Sequence, residues 1–142
     1  MIDTALQDLQ LAVEDALWRY DPLRPALSEL RVEVRPDGQV EIAGPVRTGL
    51  IKDGILASVR RVPGVTGIID RILPDHELEI AVARAMASDE MLTKLPPGTL
   101  SVHSHLGRVS LVGKVPDPAL RKRVLEIVPN LPGIRGVIDL MG

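Results

Sequence analysis

The chain has 142 residues, of which 45% are hydrophobic and 25% charged, and its formal charge at pH 7 is −2. This composition is typical of a folded protein and excludes a largely disordered chain, which would have fewer aliphatic residues and a larger net charge. Trp18 and Tyr20 are the only aromatic residues. Single-stranded nucleic acid is normally bound by aromatic side chains in a basic groove, so we expect no nucleic-acid partner.

The sequence lacks cysteine, which excludes disulfides and thiolate metal sites. Acidic residues interrupt residues 1–20, so we predict no signal peptide. No stretch approaches the roughly 20 apolar residues that cross a bilayer. We therefore expect a cytoplasmic protein, or a periplasmic one if a leader has been removed.

The first predicted element is an amphipathic helix. Its apolar residues recur at helical spacing, at Leu6, Leu9, Val13, Leu17 and Tyr20.

A β-hairpin is predicted next. Leu30, Val32 and Val34 alternate with charged residues, residues 35–38 provide turn chemistry, and the alternation resumes at residues 40–46.

A second helix is predicted from an apolar stripe formed by Ile51, Ile55, Val59 and Val62. Gly49 and Gly54 each lower its helix propensity by about 1 kcal/mol, so packing must stabilise it. Pro63 and Gly64 then end the helix, and residues 65–73 are predicted to form a strand.

The second half of the sequence repeats the first. Residues 38–46 correspond to residues 107–115, and Gly44 and Gly113 are separated by 69 positions. The same shift relates residues 63–70 to 132–139. It also relates residues of the two first helices: Leu9, Val13, Ala16 and Leu17 to Leu78, Val82, Ala85 and Met86. Three separated blocks in one register indicate a duplication.

The second copy differs in detail. Residues 103–107 connect its hairpin strands, and we expect this tip to be one residue longer than in the first copy. Asp117 is predicted to be the N-cap of the second helix, with Pro118 in the first helical position. Residues 134–141 are predicted to form the last strand.

The predicted fold class is α+β: two repeats of α-β-β-α-β, each a small mixed three-stranded sheet with two helices on one face. The predicted domains are residues 1–73 and 74–142. A unit of about 70 residues is marginally stable alone, so we expect the copies to pack together or to oligomerise. Leu11, Ile80 and Trp18 lie off the main helical stripes and are the predicted contacts between copies.

The repeated pattern resembles the BON domain, a family named after osmotically induced periplasmic proteins and nodulation proteins. The resemblance rests on three motifs of the first copy and their counterparts in the second: Leu9-x3-Val13-x2-Ala16-Leu17, Asp37-Gly38-x-Val40-x-Ile42-x-Gly44-x-Val46 and Gly64-Val65-x2-Ile68-x-Asp70. It implies a non-catalytic domain that binds phospholipid or membrane surfaces, found also beside channel, secretin-like and cation-binding modules. Asp70 and Asp139 depart from the family, which usually has Asn there.

Four glycines are predicted to be structural. We expect Gly44 and Gly113 to permit close approach of the following helix or an unfavourable φ angle. We expect Gly64 and Gly133 to cap the preceding helices at their C-termini.

The sequence predicts neither a catalytic site nor a cofactor. No nucleophile with an adjacent base is recognisable. His103 and His105 would point to the same face of a strand and could supply two metal ligands. A third ligand, such as His76 or a carboxylate, would have to converge on them, so we predict no metal site.

Basic residues give the remaining functional indication. Arg60 and Arg61 end one second helix, and Arg121, Lys122 and Arg123 lie on the other. The leading hypothesis is that these five residues bind phospholipid headgroups, although they also fit a solvated helix face. The alternatives are an assembly module that uses sheet edges or helix faces for a partner protein or a homo-oligomer, and cation binding at Asp70 or Asp139.

Overall fold

The computed structural model describes residues 4–142. The chain divides into two compact units, Met1–Pro74 and Asp75–Gly142. The first unit contains α1 (Thr4–Arg19), β1 (Arg31–Val34), β2 (Gln39–Val46), α2 (Gly49–Arg60) and β3 (Gly67–Pro74). The second contains α3 (Asp75–Ala87), β4 (Leu100–His105), β5 (Arg108–Gly113), α4 (Pro118–Ile127) and β6 (Gly136–Met141). The predicted order α-β-β-α-β is confirmed in both units.

Each unit has one mixed three-stranded sheet. The strand orders are β1-β2-β3 and β4-β5-β6. The central strand pairs antiparallel with the strand before it and parallel with the strand after it. The α+β fold class is therefore confirmed, and the corresponding glycine-valine segments form strands in both units.

The two helices of each unit supply the apolar side chains that cover one face of its sheet. In the first unit, Val13 and Leu17 of α1 and Ile55 and Val59 of α2 are almost completely buried. They pack in one cluster with alternate residues of the central strand, Val40 and Ile42. The second unit repeats this arrangement with Val82, Val124, Val109 and Leu111.

A 3-10 helix that the sequence analysis did not predict follows α1. It spans Asp21–Glu29, and its Leu23 and Ala26 are buried. The second unit has a shorter counterpart, Leu92–Lys94, which buries Leu92. These segments close the end of each core between the first helix and the first strand.

The prediction of a longer hairpin tip in the second unit is wrong. In the first unit Val34 pairs with Val40, which leaves residues 35–39 outside the pairing. In the second unit Ser104 pairs with Val109, and residues 105–108 lie between them. The tip is therefore one residue shorter. Leu106 and Gly107 form a tight turn with φ angles of 50° and 85°.

Side-chain caps begin both second helices. Asp117 Oδ1 accepts a hydrogen bond from Ala119 N at 2.9 Å, which confirms the predicted cap. Thr48, at the corresponding position, accepts one from Ile51 N at 3.1 Å.

Gly44 and Gly113 both have positive φ angles, 139° and 152°. A Cβ atom at Gly44 would lie 2.5 Å from the carbonyl oxygen of Glu29. A Cβ atom at Gly113 would likewise clash with the carbonyl oxygen of Thr99. The close neighbour is therefore the backbone before the first strand. Our expectation that the following helix approaches these glycines is wrong. This backbone bends in beside the central strand and leaves no room for Cβ.

Gly64 and Gly133 do not cap helices, contrary to the prediction. The C-caps are Arg61 and Val128. Each glycine instead follows proline in a turn and has a positive φ angle. The turns are closed by hydrogen bonds from Val65 N to Val62 O and from Ile134 N to Leu131 O, both 3.3 Å. Pro followed by Gly is typical of a type II turn, which leads the chain into the last strand.

We expect Gly44→Ala to destabilise the protein by about 1–3 kcal/mol, because alanine disfavours this φ angle and its Cβ meets fixed backbone. Gly49→Ala is the matched control, since no atom lies within 4 Å of its Cβ position. It should change stability by no more than about 1 kcal/mol, towards greater stability. Urea unfolding of both variants measures the difference. Equal stability of Gly44→Ala and the wild type would contradict this account of the bend.

Candidate functional site

The last strand and second helix of each unit are joined by an ion pair at corresponding positions. Lys52 Nζ lies 3.2 Å from Asp70 Oδ2, and Arg121 Nη2 lies 4.0 Å from Asp139 Oδ2. Both carboxylates also accept a hydrogen bond from the amide two residues later, at 3.0 Å for Asp70 and 2.9 Å for Asp139. Arg121, one of the predicted headgroup ligands, is thus engaged within its own unit.

Arg123, another predicted headgroup ligand, is paired more closely. Its Nη2 and Nε lie 2.7 Å and 3.0 Å from Asp89 Oδ1, and its Nη1 lies 3.4 Å from Glu126. The hydrogen bonds from Arg123 lower the pKa of Asp89 and raise the pKa of Arg123 itself. The carboxylate of Asp89 is only 12% exposed. The pair therefore fastens α4 to the segment after α3.

The first unit fills the corresponding place with an aromatic contact. Tyr20 corresponds to Asp89, and Gly54 corresponds to Arg123. The Tyr20 ring occupies the space where a Gly54 side chain would lie. Gly54, which weakens α2 on propensity alone, is therefore required by packing against Tyr20.

The other three predicted headgroup residues are exposed. Arg60 and Arg61 are at the end of α2 in the first unit, and Lys122 is on α4 in the second. No ion pair or hydrogen bond engages these three side chains within residues 4–142. Of the five residues, two thus have an ion-pair partner within their own unit, and three have none among the described residues.

His103 and His105 lie on β4 with both side chains exposed. They lie on one face of the strand, as predicted, and their pairing with Ser110 and Arg108 places this face opposite the helices. Within residues 4–142, no three potential metal-binding side chains are grouped together. The pair therefore has no third ligand in the described part of the chain.

The first sheet carries charge on the face opposite the helices, which we call the outer face. Glu41 of the central strand lies 2.7 Å from Arg71 of β3 and 3.7 Å from Arg35 beside β1. These pairs cross the sheet from one edge to the other. The first outer face therefore carries ion pairs beside the side chain of Ile69, which lies on the same face.

The outer face of the second sheet has an apolar strip where the first sheet has these ion pairs. Ser110 and Leu140 occupy the positions of Glu41 and Arg71. Val112, Ile138 and Leu140 are 39%, 48% and 55% exposed. Val112 and Leu140 are neighbours in the parallel register, and Ile138 precedes Leu140 on the same face. These three residues form one strip, which we call the outer apolar strip.

The first helix of each unit covers the free edge of the first strand. Gln10 Oε1 accepts a hydrogen bond from Val34 N at 3.2 Å, and Glu79 Oε2 accepts one from Ser104 N at 3.3 Å. In the second unit, the buried carboxylate of Asp75 also accepts from Ser104 Oγ and from Leu106 N, at 3.1 Å and 2.8 Å. These contacts occupy the edges of β1 and β4.

Leu11, Trp18 and Ile80, the predicted contacts between copies, lie outside the cores of their own units. The guanidinium of Arg24 lies over the Trp18 ring, 4.9 Å from its centroid. Their assignment to a contact between copies stays a prediction.

A groove of about 620 Å³ lies in the first unit between α1, the hairpin turn at residues 35–38 and the turn at Pro63 and Gly64. Its lining contains no serine, threonine or histidine among the described residues. It thus offers no side-chain nucleophile with a histidine base.

We expect the pairing of Asp89 with Arg123 to stabilise the fold at neutral pH. Because the folded-state pKa of Asp89 lies below its ordinary value of 3.8, this contribution is present above that pH and declines as the pH falls through the lower folded-state pKa. Asp89→Asn should therefore be less stable than the wild type at pH 7, and the difference should shrink in acid.

Urea unfolding between about pH 7 and about pH 3 measures this dependence. Asp15→Asn is the control, because Asp15 pairs with Arg19 on an exposed surface of α1, where such pairs contribute little. A deficit of Asp89→Asn that stays constant across the pH range would contradict the assignment.

Comparison with known proteins agrees with this architecture. A model of the BON domain matches residues 6–73 and 74–141. No curated protein matches the chain. Two solved structures of CdsD, a structural protein of the type III secretion system of Chlamydia trachomatis, are similar to it. One is 15% identical with a TM-score of 0.42, covering 94% of this chain and 91% of that one.

The other structure is the C-terminal domain of CdsD, 14% identical with a TM-score of 0.45, covering 99% of this chain and 100% of that one. Similarity at this level carries no information about function. The family match covers both units, and BON domains are non-catalytic binding modules. The chain therefore belongs to the BON domain family and consists of two tandem BON domains.

Proposed function

We propose that this chain is a protein-association module that contacts its partner through the outer apolar strip of the second unit. The observation that supports the proposal is the exposure of Val112, Ile138 and Leu140 side by side on one sheet face. Single exposed aliphatic residues are ordinary, whereas a cluster on adjacent strands is typical of a contact surface. Burying such a strip gains about 25 cal/mol for each Å² removed from water.

The comparison between units strengthens the proposal. The two units share their core positions, yet the first pairs Arg71 with Glu41 where the second has Leu140 and Ser110. The fold therefore does not require an aliphatic residue at the position of Leu140. Ile69 keeps an aliphatic side chain at the position of Ile138, whereas Val112 and Leu140 stand where the first unit has Ala43 and Arg71. Two of the three strip residues are thus particular to the second unit, which favours a role in association rather than in stability.

We expect a photo-reactive benzoylphenylalanine at Leu140 to cross-link a protein partner in cells that express the chain. The same residue at Leu50 is the control, because Leu50 is 78% exposed but lies on α2 of the first unit. The cross-link from position 140 should disappear when Ile138→Lys is added, since a buried charge disfavours the contact. Gel mobility and mass spectrometry of the adduct provide the measurement.

Cross-linking from position 140 that survives Ile138→Lys, or equal cross-linking from positions 50 and 140, would refute the proposed surface. Ile138 is exposed, so the substitution should leave the melting temperature almost unchanged. That measurement separates loss of contact from loss of fold.

Adsorption to anionic phospholipid is a second candidate function. It is favoured by the exposed side chains of Arg60, Arg61 and Lys122, which have no ion-pair partner in the described part of the chain. Each cation at an anionic surface contributes about 1 kcal/mol, so the two arginines of the first unit support weak, salt-sensitive binding, as does Lys122 of the second unit by itself.

Sedimentation with phosphatidylglycerol vesicles at low salt tests this candidate. Arg60→Glu with Arg61→Glu should weaken binding at least about tenfold, given the contribution of each cation. Arg31→Glu with Arg84→Glu is the control, because it changes the net charge equally at other exposed arginines. Equal weakening by both pairs, or no vesicle binding by the wild type, would eliminate the assigned residues.

A further inference from the structure

The two sheets have four edges in total, and three of them are protected. Gln10 and Glu79 bind backbone amides on the edges of β1 and β4. The third edge is β3, where Arg71 is held by Glu41 and the strand ends at Pro74, which has no amide hydrogen. Charged residues and proline are the usual devices that prevent an edge from pairing with another chain.

The fourth edge, β6, contains no proline, and its one charged residue is Asp139, whose side chain pairs with Arg121 of its own unit. β6 pairs with β5 on one side only. Gly142 N donates to Gly113 O of β5 at 2.8 Å, whereas Met141 N donates to the side chain of Asp139. Because backbone groups alternate in direction along a strand, the N–H and C=O groups of Val137 and Asp139 point away from β5.

We infer that β6 pairs antiparallel with β6 of a second copy of this chain, with Ile138 on the two-fold axis. The inference rests on the proposed association function and names its partner. In this register Val137 of each copy lies opposite Asp139 of the other, and the two residues exchange hydrogen bonds. Every outward N–H and C=O group of both residues is then paired.

Charge disfavours one of the neighbouring symmetric registers, and an occupied amide disfavours the other. Moving the axis to Asp139 would place the two carboxylates directly opposite each other, and like charges in that position are destabilising. Moving the axis to Val137 would set Asp139 against Arg135, whose amide is already bonded to Gly107 O at 2.8 Å. With Ile138 on the axis, each Asp139 faces an uncharged residue and keeps Arg121 as its counterion.

The same register explains why the partner is a second copy. The two outer apolar strips would become continuous across the new strand pair, because both copies present Ile138 and Leu140 on one face. β6 is six residues long. A contact of this length is smaller than the roughly 800 Å² per partner of a stable interface, so the dimer should be weak and concentration-dependent.

The chain has no cysteine, so a single introduced cysteine reports on this geometry. Residues that face each other across antiparallel strands without hydrogen bonds have Cα atoms about 4.5 Å apart, within disulfide reach. We expect Ile138→Cys to form a disulfide-linked dimer under mild diamide oxidation. Leu140→Cys is the matched control, because in this register its two copies lie about 13 Å apart along the strands.

The Ile138→Cys variant should cross-link at least about tenfold faster than the Leu140→Cys variant, since pairing raises the effective concentration of the facing thiols. The two positions are similarly exposed, at 48% and 55%, so random collision would oxidise them at similar rates. Similar rates would overturn the inference. Sedimentation velocity of the wild type should show a concentration-dependent dimer that Ile138→Lys weakens, and a monomer at all concentrations would overturn it too.

These results are separable from those for the proposed function. If position 140 still cross-links another protein in an Ile138-dependent manner while Ile138→Cys oxidises no faster than Leu140→Cys, the association surface stands and self-pairing fails. If cross-linking from position 140 does not depend on Ile138, the surface itself is wrong.

Discussion

The burial of one face of the central strand is the constraint on which each unit depends. β2 and β5 are hydrogen-bonded on both sides, and Val40, Ile42, Val109 and Leu111 are completely buried beneath the helices. Such a strand cannot change its register by one residue, because the slip would move every buried side chain to the other face. The glycine at its exit follows from the same constraint, since the chain before the first strand must approach there without a Cβ in the way.

The remaining strands lie at the edges of the sheet and must be protected there. The two units share two means of protection and differ in a third. Both cover the first strand with a polar side chain of the first helix, Gln10 or Glu79. Both place an aspartate in the last strand, where it accepts a hydrogen bond from an amide and pairs with a cation. Among the described residues, only the first unit adds ion pairs across the outer face. The second unit therefore keeps the fold but leaves an apolar strip beside an open edge.

Periodicity predicted the helices, strands and repeat, because these elements depend on local spacing and on a register kept by all three blocks. The 3-10 helix at Asp21–Glu29 was missed because its residues follow neither helical nor strand periodicity and contain two prolines. The hairpin tip of the second unit was predicted to be longer than that of the first, whereas it is shorter. The first strand is shifted by 70 positions between units, as Val32 and Val102 show, and the tip compensates by losing one residue. The pairing of Arg121 with Asp139 and of Arg123 with Asp89 was also missed, because these partners are distant in sequence.

Duplication explains why so much could change without loss of the fold. Tyr20 over Gly54 and Asp89 with Arg123 occupy corresponding places, one by packing and the other by an ion pair. Either solution holds the second helix against the segment after the first, so the core tolerates the exchange. The residues of the outer face can change more readily still, because their side chains do not pack in the core. The first unit, whose outer face carries the ion pair of Glu41 with Arg71, can remain stable while the second unit acquires a contact surface. Functional divergence is thus expected first on the outer faces and free edges, where the second unit differs most from the first.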